Sequence, residues 1–66
     1  MGEQITLKQA RMLKGMSREQ VCELLDINES TLYYWEKYKT LPNVRQFFNL
    51  CRIYELPADS IFIPQQ

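Results

Sequence analysis

The 66-residue sequence predicts an all-α fold, a compact five-helix bundle, on three observations. Helix-start signals recur at short intervals, apolar residues follow each of them at helical spacing, and no stretch shows the period-two alternation of a half-buried strand. A chain of this length makes one domain, residues 1–66, with a core over about 5–62 and a loose tail at 64–66.

The first two helices start at capping boxes. In Thr6-Leu7-Lys8-Gln9 and Ser17-Arg18-Glu19-Gln20 the hydroxyl accepts from the N3 amide while the Gln side chain reaches back, predicting helices from Leu7 to Lys14 and from Arg18 to Leu25. Asn28 and Asn43 supply two further N-caps, the second with Gln46 at N3, and predict helices from Glu29 to Tyr38 and from Val44 to Tyr54. Met16 with Val21, Ile27 with Leu32 and Pro42 with Phe47 stand at hydrophobic-staple spacing around three of these caps. Gly15 stops the first helix, and Leu41-Pro42 cannot prolong the third, because Pro removes a donor and restricts its predecessor. A short fifth helix is expected from Pro57 or Ala58 to about Phe62, with Pro near its first position.

Each helix carries one apolar face: Leu7 and Ala10 with Leu13 or Lys14; Val21 with Leu25; Leu32 with Trp35; and Val44, Phe47, Leu50, Cys51 and Tyr54. Only Asp26-Ile27-Asn28 joins helices two and three, which suits a steep crossing rather than an antiparallel hairpin. The small Cys22 lets those helices approach closely.

An apolar share of 45% with 24% charge is that of an ordinary globule, and the apolar runs fall far short of the roughly 20 residues that span a bilayer. Met1-Gly2-Glu3-Gln4 lacks the blocks of a secretory signal, so a cytoplasmic location is expected, in a bacterial cell or phage-infected host. In that reducing compartment Cys22 and Cys51 read as core fillers, and without any His they complete no usual zinc site. No Ser, Cys or Lys stands in a catalytic setting, so neither an enzyme nor a cofactor is expected. Eight basic and eight acidic side chains cancel, which disfavours binding of nucleic acid by bulk charge and leaves the distribution of charge to decide.

From about residue 5 to 62 the chain resembles the Cro/cI-type, or xenobiotic-response-element, helix-turn-helix family. The residues that carry the likeness are Leu7, Arg11, Lys14-Gly15-Met16-Ser17, Val21-Cys22, Leu25, Ile27-Asn28, Ser30-Thr31-Leu32, Trp35-Glu36, Pro42, Leu50 and Ile61-Phe62. The resemblance implies a lambda-repressor-like DNA-binding domain in which helices two and three form the helix-turn-helix. The third helix then enters the major groove of double-stranded DNA, usually as half of a homodimer on a pseudo-palindromic operator. It also implies that Arg11 and Glu36 form a partly buried structural ion pair.

Carried onto this sequence, Glu29, Ser30, Tyr33 and Tyr34 face the bases, opposite the apolar Leu32 and Trp35. Ser30 serves almost any base edge, Glu29 accepts from a cytosine amino group, and a tyrosine ring meets a thymine methyl. Glu29 also reads as a carboxylate favouring its helix N-terminus, and the paired tyrosines as a protein-binding surface. Phosphate contacts fall to Arg18, Lys37, Lys39, Thr40 and Arg45, with Lys14 counted among five cations on one face. Dimerisation is expected through the C-terminal segment, where Ile61 and Phe62 partly serve the core and Ile63 faces the partner.

Asp26, Tyr38 and Glu55 depart from the family, standing where it commonly has Gly at a turn or helix end. Either these turns differ, or the chain accepts local strain. Two functions stand beside each other: a small transcriptional regulator, of the phage or mobile-element repressor or Cro-like kind, and a protein-interaction module of antirepressor or antitoxin type that has lost DNA binding.

Overall fold

The computed structural model describes residues 3–64. Four α-helices follow in order, α1 (Leu7–Lys14), α2 (Arg18–Leu25), α3 (Glu29–Glu36) and α4 (Val44–Tyr54), and then a single 3₁₀ turn, Ala58–Ser60. Three starts are made by reciprocal capping boxes. Gln9 N–H donates to Thr6 Oγ1 at 3.1 Å and Thr6 N–H to Gln9 Oε1 at 2.8 Å, and the pairs Ser17/Gln20 and Asn43/Gln46 repeat the pattern. Asn28 differs, since its side chain caps nothing. Its carbonyl instead accepts from the Thr31 amide at 3.1 Å and from the Cys22 thiol at 3.6 Å, so the start of α3 is held from α2.

Two expectations about helix ends are corrected. The third helix stops at Glu36 rather than Tyr38, because Tyr38 turns into the left-handed region at φ 59° and reverses the chain. The expected fifth helix is only one 3₁₀ turn, so the described residues hold four α-helices and not five. Tertiary pairing ends it: Ile61 goes extended and forms a parallel bridge with Ile5, in which Ile5 N–H donates to Ser60 O (2.9 Å) and Phe62 N–H to Ile5 O (2.8 Å). Of the tail expected at 64–66, Gln65 and Gln66 lie outside the described residues.

The three residues that replace glycine all adopt its conformation: Asp26 at φ 57°, Tyr38 at 59° and Glu55 at 58°, beside Gly15 at 74°. The turns are therefore kept and the strain accepted, at roughly 1–2 kcal/mol for Tyr38 and for Glu55 and less for Asp26, whose short polar side chain tolerates this region. The gain is closure of helix ends. Met16 N–H reaches Arg11 O, Ile27 N–H reaches Cys22 O and Leu56 N–H reaches Cys51 O, each satisfying a carbonyl of the last turn.

Tyr38 offsets its strain through its side chain. The hydroxyl accepts from Leu7 N–H at 3.3 Å and donates to Phe62 O at 2.7 Å, while its ring meets Phe62 edge-on at 5.8 Å. Burial pushes the phenol above its ordinary range, keeping the proton it donates. Tyr38→Phe retains the stacking, removes both hydrogen bonds, and is expected to cost about 1–2 kcal/mol in urea unfolding. No loss of stability would mean that the hydroxyl does not tie the C-terminal segment to α1.

The core gathers Leu7, Ala10, Val21, Cys22, Leu32, Trp35, Leu50, Cys51, Tyr54 and Ile61. Leu13 and Val44, expected on core faces, are instead 74% and 71% exposed. A helix turns ~100° per residue, so Leu13 falls about a quarter turn away from the Leu7–Ala10 face. Val44 is the first residue of α4 and extends beyond the packed layer. Both thiols are buried and free, and burial pushes both above their ordinary range, as expected of packing groups.

Candidate nucleic-acid interface

The outer face of α3 is open because its inner face is fully engaged. Leu32 and Trp35 are buried, and the small Cys22 lies where α2 crosses α3. At the far end Glu36 receives Arg11 in a fork, with Nε to Oε2 at 2.7 Å and Nη2 to Oε1 at 3.3 Å. Arg11 Nη1 also donates to Met16 O at 3.0 Å, which links α1, the turn into α2 and the end of α3. The side chains are only 12% and 4% exposed, and the hydrogen bond to Glu36 raises the guanidinium further above its already high range. The pair that the family resemblance implied is thus present and nearly dry.

With α3 held at both ends, Glu29, Ser30, Tyr33, Tyr34 and Lys37 are exposed along its outer side. At ~100° per residue, Ser30 and Lys37 lie near the midline of that side, with Tyr33 on one flank and Tyr34 on the other. The two rings meet edge to face at 5.6 Å. Tyr33 also gathers cations: Arg18 Cζ lies 5.3 Å and Lys37 Nζ 5.5 Å from its ring centroid. Lys8, Arg18, Tyr33, Glu36 and Lys37 line a cleft of about 360 Å³.

The grouping of cations expected from the sequence needs two changes. Lys14 pairs with Glu55 at 2.7 Å, tying the end of α1 to the end of α4, and this hydrogen bond holds the exposed carboxylate below its ordinary range. Lys8, unassigned from the sequence, enters the cleft instead. Its position was readable, since it stands three residues before Arg11 on α1 and hence on the flank that meets α3. Lys39 and Thr40 are exposed on the loop after α3, both with their amides on Tyr34 O, and Arg45 is exposed on the first turn of α4.

The C-terminal segment distributes its apolar residues differently from the expectation. Ile61 is buried, Ile63 is partly buried against the core, and Phe62 is 43% exposed. The alternating backbone after the 3₁₀ turn places 61 and 63 on one side and 62 on the other. Among the described residues no cluster of His, Cys, Asp or Glu suits a metal ion, and no helix is long and apolar enough to cross a membrane.

A family model described as helix-turn-helix matches residues 7–61, from the first turn of α1 to the bridge at Ile61. No curated protein and no solved structure matches the chain.

Proposed function

The chain belongs to the Cro/cI-type, xenobiotic-response-element helix-turn-helix family, whose members are DNA-binding transcriptional regulators, and on that footing we propose that it is a small sequence-specific repressor or Cro-like protein of phage or mobile-element origin. It acts in the cytoplasm on double-stranded DNA, with α3 in the major groove and two copies on a pseudo-palindromic operator. The observation that carries this reading is the contrast between the two sides of α3: one locked by Leu32, Trp35 and the Glu36–Arg11 pair, the other open, with Lys37 along it and Arg18 beside Tyr33 at its edge.

In this assignment Arg18, Lys37, Lys39, Thr40 and Arg45 meet phosphates, and Glu29, Ser30, Tyr33 and Tyr34 meet base edges. Zero net charge is compatible with it because the charge is unevenly placed: Lys8, Arg18 and Lys37 gather at the cleft, where the lining carboxylate of Glu36 is taken up by Arg11, while Glu55 is paired with Lys14 at the ends of α4 and α1. The direct test is titration of a random duplex at low salt, where measurable, salt-sensitive binding is expected. Absence of binding would favour the protein-interaction module.

Base readout is tested by Ser30→Ala and Tyr34→Ala against an operator selected from a random pool. Each is expected to weaken the selected duplex by about 1–3 kcal/mol more than the random one. Equal losses on both would place these residues among the phosphate contacts. The dimer contact is assigned to the segment from Phe62 to Ile63, where Phe62 presents the larger open area. Sedimentation of Ile63→Asp and Phe62→Asp with a palindromic duplex should show weakened loading of the second copy. Unchanged loading by both removes the interface from this segment.

A further inference from the structure

The tyrosine pair on α3 is chemically unequal. Tyr34 lies on the flank away from α1 and α2, whereas Tyr33 lies on the flank toward them, with its ring within cation–π reach of both Arg18 and Lys37. These two cations come from different elements, the first residue of α2 and the residue after α3. An aromatic face binds a cation without taking up its N–H donors or cancelling its charge. A carboxylate would do both, and the one that lines the cleft is occupied, since both oxygens of Glu36 are held by Arg11.

We propose that Tyr33 is a positioning residue for backbone phosphate, holding Arg18 and Lys37 beside a cleft that Lys8 completes, and that it does not read base edges. This rests on the DNA-binding reading above and refines it by moving Tyr33 out of the group of base readers. The ring restricts two long side chains before DNA arrives, so less rotamer freedom is lost when a phosphate is bound. The cleft is lined by three cations, Arg18, Lys37 and Lys8 from α1, and by the carboxylate of Glu36, whose charge Arg11 offsets, which leaves a net positive lining to seat one phosphate group.

The test is fluorescence anisotropy on a random duplex and on a selected operator across a series of salt concentrations. Tyr33→Phe keeps the ring and should bind both duplexes within about two-fold of the parent. Tyr33→Leu should lose roughly five- to thirty-fold on both alike, because Arg18 and Lys37 must then be ordered only when DNA arrives, with a reduced salt slope. Arg18→Ala should cost less in the Tyr33→Leu background than in the parent, because the two act as one unit. Lys8→Ala should lower the salt slope by about one unit. Since Tyr33 is 41% exposed, helical content by circular dichroism should not change. Tyr33→Leu that loses only operator preference while keeping random-duplex affinity and slope overturns the inference and leaves DNA binding standing. So does Tyr33→Phe as damaging as Tyr33→Leu. No duplex binding by the parent overturns the DNA-binding reading and this inference with it.

Discussion

Glu36→Ala is expected to lower the free energy of unfolding by about 3–5 kcal/mol, the cost of leaving a buried charge without its partner. The stranded group is Arg11, whose side chain is 12% exposed and keeps only the Met16 carbonyl as a partner. A guanidinium cannot escape by losing its proton, so it must either drag water into the α1–α3 junction or pull away from it. Native stability for a chain of this length is itself only about 3–10 kcal/mol, so the variant should lose a large fraction of it and its urea midpoint should fall steeply. Arg11→Met together with Glu36→Leu should recover most of the loss, because nothing charged is left buried. Urea unfolding of the single and double variants decides it. A loss below about 1 kcal/mol for Glu36→Ala would mean that the ion pair does not hold α3 in place.

Combined replacement of Arg18, Lys37 and Lys39 by Ala is expected to reduce affinity for any duplex by a factor on the order of 10²–10³ at 0.1 M salt. Each phosphate contact contributes about 0.9 to the slope of log K against log salt, so three contacts contribute about 2.7 and vanish at 1 M. The loss should therefore shrink as salt is raised, and it should be the same for operator and random sequence. Stability is expected to change little, because the two lysines are exposed and Arg18 is only partly buried. Anisotropy titrations at several salt concentrations measure slope and affinity together. A salt-independent loss would show that these residues act through the fold and not through phosphate.

The positions of the helices were legible because their causes are local. Thr6, Ser17 and Asn43 cap through residues three places ahead, and the starts at Leu7, Arg18 and Val44 follow directly from them. Asn28 looked equivalent, yet its side chain makes no cap, and its carbonyl accepts from the Cys22 thiol of another helix. The fifth helix failed for a non-local reason: Ile61 has a better partner in Ile5, 56 residues earlier, than in its own next turn.

The candidate site divides along the same line. Which residues line the outer side of α3 could be read along the chain, because a period of 3.6 opposite Leu32 and Trp35 leaves Glu29, Ser30, Tyr33 and Tyr34 no other place. The family could be read there too, through residues spread from Leu7 to Ile61. Three pairings needed the packed molecule: Lys14 joins Glu55 while Lys8 enters the cleft, Tyr33 and Tyr34 acquire different neighbours, and Tyr38 bears a left-handed backbone by bonding Leu7 and Phe62. Caps and periodicity act within a few residues and are written in local order. The partner of a long charged or aromatic side chain is whichever group the packed helices bring within about 4–6 Å, and that is set by how whole elements cross.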